Sequence, residues 1–272
     1  MKKQLIGVAA LGLLLAACSD EQTAEPKFQE PAQEVKQEGP EEVEEVEEVG
    51  GEEDVVEPVA AEPLYKLNEA NWKLVPIEQA EEKVVLLTID DAPDTYSLEM
   101  AETLAQLEVP AIFFVNGHFL DTDEEKEKLK KIHELGFAIG NHTQTHPNLK
   151  NSSEEQQQQE ILALNDTIED VLGEKPQFFR APFGVNTDFS RELVKQEGML
   201  LMNWTYGYDW EKDYMEASAL ADIMVNTPYL TNGANLLMHD REWTAGALEQ
   251  IVTGLQEKGY GFVDPDEIQG VE

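Results

Sequence analysis

The sequence has a single cysteine, Cys18, in 272 residues. That excludes an internal disulfide framework and a cysteine-rich zinc module. Basic residues are scarce as well: 19 Lys and Arg stand against 56 Asp and Glu, a formal net charge of −37. A chain this acidic repels phosphate backbones, which excludes nucleic acid as a partner. It also repels anionic headgroups unless something covalent holds it at a membrane. No apolar run reaches the roughly 20 residues that a transmembrane helix needs, and no internal repeat is present. Material for a core is not lacking. Hydrophobic residues make up 41% and aromatics 8%, so disorder throughout the chain is excluded.

The first stretch reads as an address. Residues 1–17, MKKQLIGVAALGLLLAA, carry two early lysines, then an apolar run, then small residues. This is the order of a secretory signal peptide. Leu15-Ala16-Ala17-Cys18 resembles a bacterial lipobox, which makes Cys18 the expected lipidation site after cleavage. A two-chain lipid on Cys18 would overcome the charge repulsion and anchor the protein stably. Residues 18–64 are the expected tether. Between positions 19 and 64 there are 17 acidic residues against Lys27 and Lys36, with Pro26, Pro31, Pro40, Pro58 and Pro63 interspersed. Such a segment cannot bury enough apolar surface to order itself.

Residues 65–272 form the expected folded domain, itself acid-coated, with 39 acidic and 15 basic residues, net −24. Short apolar, β-branched runs at 84–89, 111–115, 137–139, 178–180, 200–204, 235–238 and 261–263 alternate with helical patterns at 97–107, 122–135, 153–172, 189–197, 217–225 and 245–258. Strand–helix alternation predicts an α/β fold with a parallel sheet and helices outside it. Pattern alone leaves open whether the sheet closes as a barrel or stays open and doubly wound.

Polar residues cluster where the strands end. Asp90 and Asp91 follow the first strand, and His142 follows the third. Arg180 closes the fourth, Asp209 lies just after the fifth, and His239 ends the sixth. In a parallel barrel those ends share one face, and that face holds the active site. His142-Thr143-Gln144-Thr145-His146 is an HxxxH spacing that brings two rings together on a helix or in a tight loop. The chain has only five histidines, and three lie in these segments. Two histidines and one carboxylate make a metal-ligand set. A second carboxylate beside it suits a general base, and a separate histidine suits a general acid.

The ordered segments TIDDAP, HTQTH, RAPFG, YDW and LLMHD resemble the five motifs of the NodB-type polysaccharide deacetylases, carbohydrate esterase family 4, over about Val84 to Ile268. The resemblance implies a distorted (β/α)7-type barrel that removes acetyl groups from N-acetylated sugars with one divalent metal, usually zinc. Carried over by residue, it implies that Asp91, His142 and His146 hold the metal, with Asp90 as base paired to Arg180. His239 becomes the acid, oriented by Asp209. Trp210 and Leu237 would wall the pocket for the acetyl methyl, and the Phe183 N–H would bind the oxyanion. The donor set accepts Co2+, Ni2+ or Fe2+ besides Zn2+. Two positions depart from the family pattern. Ala92 stands where Gly is usual, a residue used for positive φ or close backbone approach, so a shift of the substrate loop is expected. Tyr206 stands where Asp is frequent.

Trp204, Tyr206, Tyr208 and Trp210 place four aromatics within seven residues, and aromatic faces stack on sugar rings. Tyr208 is thereby a further substrate-binding candidate. The expected activity is N-deacetylation of peptidoglycan N-acetylglucosamine or N-acetylmuramic acid, releasing acetate. Chitin oligomers and acetylated exopolysaccharide are alternatives. A wall-binding lipoprotein without strong catalysis is a reading of another class, and a solute-binding lipoprotein is a third. The expected partner is the cell-wall polysaccharide, and the expected state is a monomer. The expected place is the outer face of the cytoplasmic membrane of a Gram-positive host, through the lipid on Cys18.

Overall fold

The computed structural model describes residues 62–271. The expected signal peptide over 1–17, the lipidation site Cys18 and nearly all of the tether over 18–64 lie outside them. An antiparallel hairpin, β1 (Tyr65–Asn68) and β2 (Lys73–Pro76), comes first. A parallel sheet of seven strands follows: β3 (Val84–Ala92), β4 (Ile112–Val115), β5 (Ala138–Asn141), β6 (Phe178–Phe179), β7 (Leu200–Leu201), β8 (Ala234–His239) and β9 (Gly261–Phe262). The helices between them are α1 (Ser97–Gln106), α2 (Asp123–Glu134), α3 (Glu154–Leu172), α4 (Asp188–Gln196), α5 (Ala217–Asn226) and α6 (Glu242–Glu257). Among the described residues no helix is long and apolar enough to cross a membrane.

The strand order is β7-β6-β5-β4-β3-β8, with β9 pairing the start of β3. The sheet curls until the chain after β7 meets β8 through a parallel bridge between Tyr206 and Leu236. Leu237 N donates to Tyr206 O at 2.9 Å across that seam. The result is the distorted (β/α) barrel that the resemblance implies.

Alternation along β3 sets the layers. Val85, Leu87 and Ile89 point outward into a core shared with Met100 and Leu104 of α1, Leu220 and Met224 of α5, and Leu248 of α6. Val84 and Leu86 point inward and meet Ile112, Phe114, Phe178 and Met202. A strand buried on both faces reads as a continuous apolar run, which is why 84–89 is conspicuous in the sequence. The strand extends past that run to Ala92, because Asp90 pairs with His239 and Ala92 with Val115.

The hairpin was not expected from the sequence, because each of its strands is only four residues long. Tyr65 and Leu74 join the inward core, and Leu74 N donates to Gly233 O at 2.8 Å. The approach is close enough that a Cβ at Gly233, where φ is +73°, would lie 1.9 Å from Leu74 O. The hairpin therefore covers the end of the barrel remote from the polar strand ends. Helix boundaries follow local chemistry. Thr122 and Ser153 form capping boxes on α2 and α3, each satisfying two otherwise orphaned N–H groups. Gly173 stops α3 in the left-handed region, at φ 84°.

Helix α1 has no cap from its own N-cap side chain. Asp240, just beyond β8, supplies one from outside, accepting from Tyr96 N at 2.6 Å, Ser97 N at 2.8 Å and Ser97 Oγ at 2.6 Å. Burial pushes the Asp240 carboxyl above its ordinary range, against the lowering effect of these donors. Asp240→Ala would leave buried donors unpaired. Urea unfolding should show a loss of about 2–4 kcal/mol, whereas a loss below about 0.5 kcal/mol would mean that this cap does not hold the start of α1.

Candidate active site

One cavity of about 390 Å³ opens at the C-terminal ends of the strands, lined by Asp90, Asp91, His142, His146, Phe183, Trp204, Trp210, Leu237, His239 and Arg241. Consecutive residues of a regular strand point to opposite faces, yet Asp90 and Asp91 both line this cavity. Asp91 achieves this with φ 65°, in a stretch where the β3–β4 register shifts between Ile89 and Ala92. Such a bulge re-aims a side chain. Ala92 itself is buried and has no positive φ. Ala92 is thus not held in the left-handed conformation that favours glycine; the left-handed residue is the aspartate before it.

Arg180 enters beneath this pair from the end of β6 and is fully buried. Its Nη1 donates to Asp90 Oδ1 at 2.6 Å and to Thr88 Oγ1 at 2.8 Å. Its Nη2 donates to Asn203 O at 3.1 Å, and its guanidinium lies 4.2 Å over the Phe114 ring. Burial pushes the Arg180 pKa down while the charge and hydrogen bond of Asp90 push it up; a guanidinium stays charged in either case. Thr88, which the motif reading overlooked, sits two residues before Asp90 and so on the same inward face. That spacing was the available signal.

The HxxxH segment is a loop, not a helix, with Thr143 at φ 73° and His146 at φ 58°. Backbone partners hold it. Asn116 Nδ2 donates to His142 O at 2.7 Å and Gln144 N donates to Glu160 O at 2.9 Å. The Glu160 carboxylate accepts from Thr145 N and Thr145 Oγ1, both at 2.7 Å. His142 Nδ1 lies 2.7 Å from Arg180 O. A carbonyl can only accept, so Nδ1 carries the proton and the Nε2 lone pair faces the cavity. His142 Nε2 is 3.9 Å from Asp91 Oδ1, and His146 Nε2 is 3.6 Å from the same oxygen. One donor atom from each of Asp91, His142 and His146 lies within 4.8 Å of the others. Burial is the leading cause that lowers the His146 pKa, followed by repulsion from His142 when that ring is protonated, and the lowering favours the neutral, ligating form of His146. These residues fit a divalent cation in donor type, tautomer and spacing.

Across the cavity, His239 Nδ1 is 2.7 Å from Asp209 Oδ1. Asp209 Oδ2 accepts from His239 N at 2.6 Å and from Thr244 Oγ1 at 2.9 Å. Trp243 Nε1 donates to Asp209 O at 2.8 Å. Burial alone would lower the His239 pKa; the hydrogen bond and charge of Asp209, with the charges of Asp90 and Asp91, outweigh it and raise the net value. Trp210 packs edge-on to His239 at 5.5 Å, and Phe183 packs edge-on to His146 at 4.9 Å. Both rings are exposed, at 40% and 62%, and so are open to a ligand. Leu237 also lines the cavity.

Two aromatic residues do not reach the cavity. Tyr208 was expected at the substrate, but its hydroxyl meets Thr227 Oγ1 at 2.6 Å and its ring packs on Tyr206 and Tyr214. Tyr206 is buried in the outer core, with its hydroxyl donating to Met224 O at 2.7 Å. The turn after β7 sends these rings toward α5 and only Trp204 and Trp210 toward the cavity.

Residues 78–202 match the family model for polysaccharide deacetylases. The chain is 32% identical over 195 residues to a peptidoglycan-N-acetylglucosamine deacetylase of Bacillus cereus, covering 69% of this chain and 88% of that protein. The chain belongs to the polysaccharide deacetylase family, carbohydrate esterase family 4. A second family member, the peptidoglycan-N-acetylmuramic acid deacetylase PdaA of Bacillus subtilis, is 28% identical over 193 residues, covering 69% of this chain and 72% of that one. The family also contains a pseudoenzyme from Bacillus anthracis, whose crystal structure matches this fold with a TM-score of 0.62 at 29% identity, over 69% of this chain and 65% of that one. Membership in the deacetylase family thus supplies the fold and the reaction class, and the side chains of the individual site must carry the argument for catalysis.

Removing the Asp209 charge should lower the His239 pKa, because the imidazolium loses its nearest anion. Proton NMR of the His239 ring in Asp209→Asn should show a titration midpoint below that of the wild type. A midpoint that does not move would show that Asp209 does not set the charge of this ring.

Proposed function

We propose that the protein is a metal-dependent N-deacetylase of cell-wall amino sugars, acting on peptidoglycan N-acetylglucosamine or N-acetylmuramic acid and releasing acetate. The observation that carries this reading is the convergence in one cavity of a buried Asp90–Arg180 pair, an Asp91–His142–His146 donor set and a His239–Asp209 pair. The named substrates of the Bacillus relatives support the choice of polymer.

Asp91, His142 and His146 would hold a divalent cation, with zinc proposed, and when bound it would supply Lewis-acid activation of the acetyl carbonyl and of the attacking water. Asp90 accepts the proton of the attacking water. Arg180, donating to Asp90 Oδ1, leaves the other oxygen, Oδ2, directed toward His142 Nε2 at 3.5 Å. The Phe183 N–H, on a left-handed turn at φ 58°, donates to the oxyanion. Trp210 and Leu237 enclose the acetyl methyl. His239, protonated and held through Nδ1 by Asp209, gives its Nε2 proton to the departing amine, and the C–N bond breaks to leave acetate and a free amino sugar. Its raised pKa has the sign an acid needs. Activity should hold below that pKa and fall as pH rises through it.

A binding protein without catalysis is the competing reading. The two departures that would favour it, Ala92 and Tyr206, leave every charged group of the cavity in its pairing. The residues 1–64 complete the proposal: signal peptide, lipid on Cys18 and acidic tether would hold a monomeric domain at the outer face of a Gram-positive cytoplasmic membrane, within reach of the wall.

The zinc-loaded protein should release acetate from purified peptidoglycan, and a chelator should abolish the release. Asp90→Asn should lower kcat by about 10²–10⁴ while retaining metal, and His142→Ala should lose both metal and activity. Persistent turnover in Asp90→Asn would sink the base assignment. Absence of acetate from the metal-loaded wild type on every N-acetylated glycan would transfer the protein to the binding class.

A further inference from the structure

The mechanism above leaves Arg241 without a role. The chain contains three arginines. Arg180 lies buried beneath the cavity, Arg191 lies on α4 outside it, and Arg241 forms part of the cavity wall. Arg241 follows His239 and Asp240 and occupies the N-cap position of α6 with extended backbone. Its place is fixed on both sides: Asp240 N donates to Asp90 O at 3.0 Å, and Ala245 N donates to Arg241 O at 2.9 Å.

Its side chain is less committed. Nη2 lies 3.6 Å from Asp91 Oδ2, with the Arg241 side chain 43% exposed. That separation is an ion pair and exceeds a hydrogen bond. Among the described residues the guanidinium has no hydrogen-bond acceptor at all. The other Asp91 oxygen, Oδ1, faces His142 and His146, so a cation on the donor set would neutralise the carboxylate that Arg241 approaches. The guanidinium then keeps a full charge and a planar fork of donors at the rim of a cavity whose reacting group is an uncharged acetamide. A guanidinium with free donors is a receptor for carboxylates. In a domain with 39 acidic and 15 basic residues, such a group is a local exception.

N-acetylglucosamine offers this fork nothing charged. N-acetylmuramic acid carries a lactyl carboxylate on the ring carbon next to the acetamido group. Arg241 Nη2 lies 3.6 Å from Asp91 Oδ2, so the guanidinium borders the donor set to which the N-deacetylase reading assigns the acetamido carbonyl. Building on the N-deacetylase reading, we infer that Arg241 is a specificity-determining residue that binds the free lactyl carboxylate of muramic acid and so selects that sugar over the neutral one. A lactyl group tied up as an amide or ester has lost the charge and the advantage.

Three substrates of equal length separate the possibilities: an N-acetylmuramic-acid glycan, its lactyl methyl ester, and a chitin oligomer. Acetate release is followed with wild type, Arg241→Gln and Arg241→Lys, all zinc-loaded. The wild type should favour the acid over the ester by about tenfold or more in kcat/KM, expressed in KM, and the preference should shrink as salt rises. In Arg241→Gln the acid-to-ester ratio should fall to about one, whatever the absolute rate. Arg241→Lys should retain part of it, as a point charge without the fork. A wild-type ratio near one overturns the inference. So does an unchanged ratio in Arg241→Gln, or an equal loss on acid and ester, which would assign Arg241 to holding Asp91. If the wild type releases no acetate even from the chitin oligomer, it is the deacetylase reading that fails. The inference is then decided by quenching of Trp204 and Trp210 fluorescence with the same acid and ester, where equal affinities overturn it and a preference lost in Arg241→Gln upholds it.

Discussion

The buried pair between Arg180 and Asp90 is the contact on which the site depends. Both groups are withdrawn from water, where an isolated charge would be prohibitively costly. The surroundings meet that cost with Thr88 Oγ1, Asn203 O and the face of Phe114. The same residue also works through its backbone. Arg180 N donates to Asn141 O, and Arg180 O accepts from His142 Nδ1. One arginine thus orients the carboxylate proposed as base and fixes the tautomer of a proposed ligand. Removing one partner of such a pair leaves an unpaired buried charge, typically several kcal/mol, so the pair constrains the fold as firmly as it shapes the cavity.

The barrel interior is divided into layers by this arrangement. Toward the hairpin it is apolar, with Leu86, Ile112, Phe114, Phe178 and Met202. Toward the strand C-termini it is polar, with Thr88, Asp90 and Arg180 buried. Phe114 lies at the boundary, packing in the apolar layer and carrying the guanidinium on its face. Low dielectric below strengthens the electrostatics above. Outside the barrel, α3 and α6 hold the site loops: Glu160 holds Thr145, and Thr244 with Trp243 holds Asp209.

Much of this was legible in the sequence because period and chemistry coincide. The run 84–89 is apolar on both faces and could only be a doubly buried strand. The helical patterns at 122–135 and 153–172 begin at Thr122 and Ser153, the residues that cap α2 and α3, and the second ends just before Gly173. The ends of four strands carried Asp90, Asp91, His142, Arg180 and His239, and those residues do line or underlie one cavity. The misreadings have equally local causes. The hairpin β1–β2 has strands of only four residues, too short to stand out as a pattern, and it packs where Gly233 admits Leu74 at close range. Tyr208 looked like a sugar platform because it sits beside Asp209 and Trp210, but the turn after β7 sends it to Thr227.

The sequence by itself determined the strand–helix alternation, the family, the identity of the chemical residues and the extreme acidity, because these depend on composition, period and short motifs. It could not determine which way each side chain turns. Asp90 and Asp91 share a cavity only because a register shift and a positive φ break the strand rule. His142 presents Nε2 only because a carbonyl from β6 occupies Nδ1. Arg241 stands at the cavity rim only because the chain turns there from β8 into α6. Each of these rests on contact between segments far apart in the chain, and such contacts exist only once the sheet has curled.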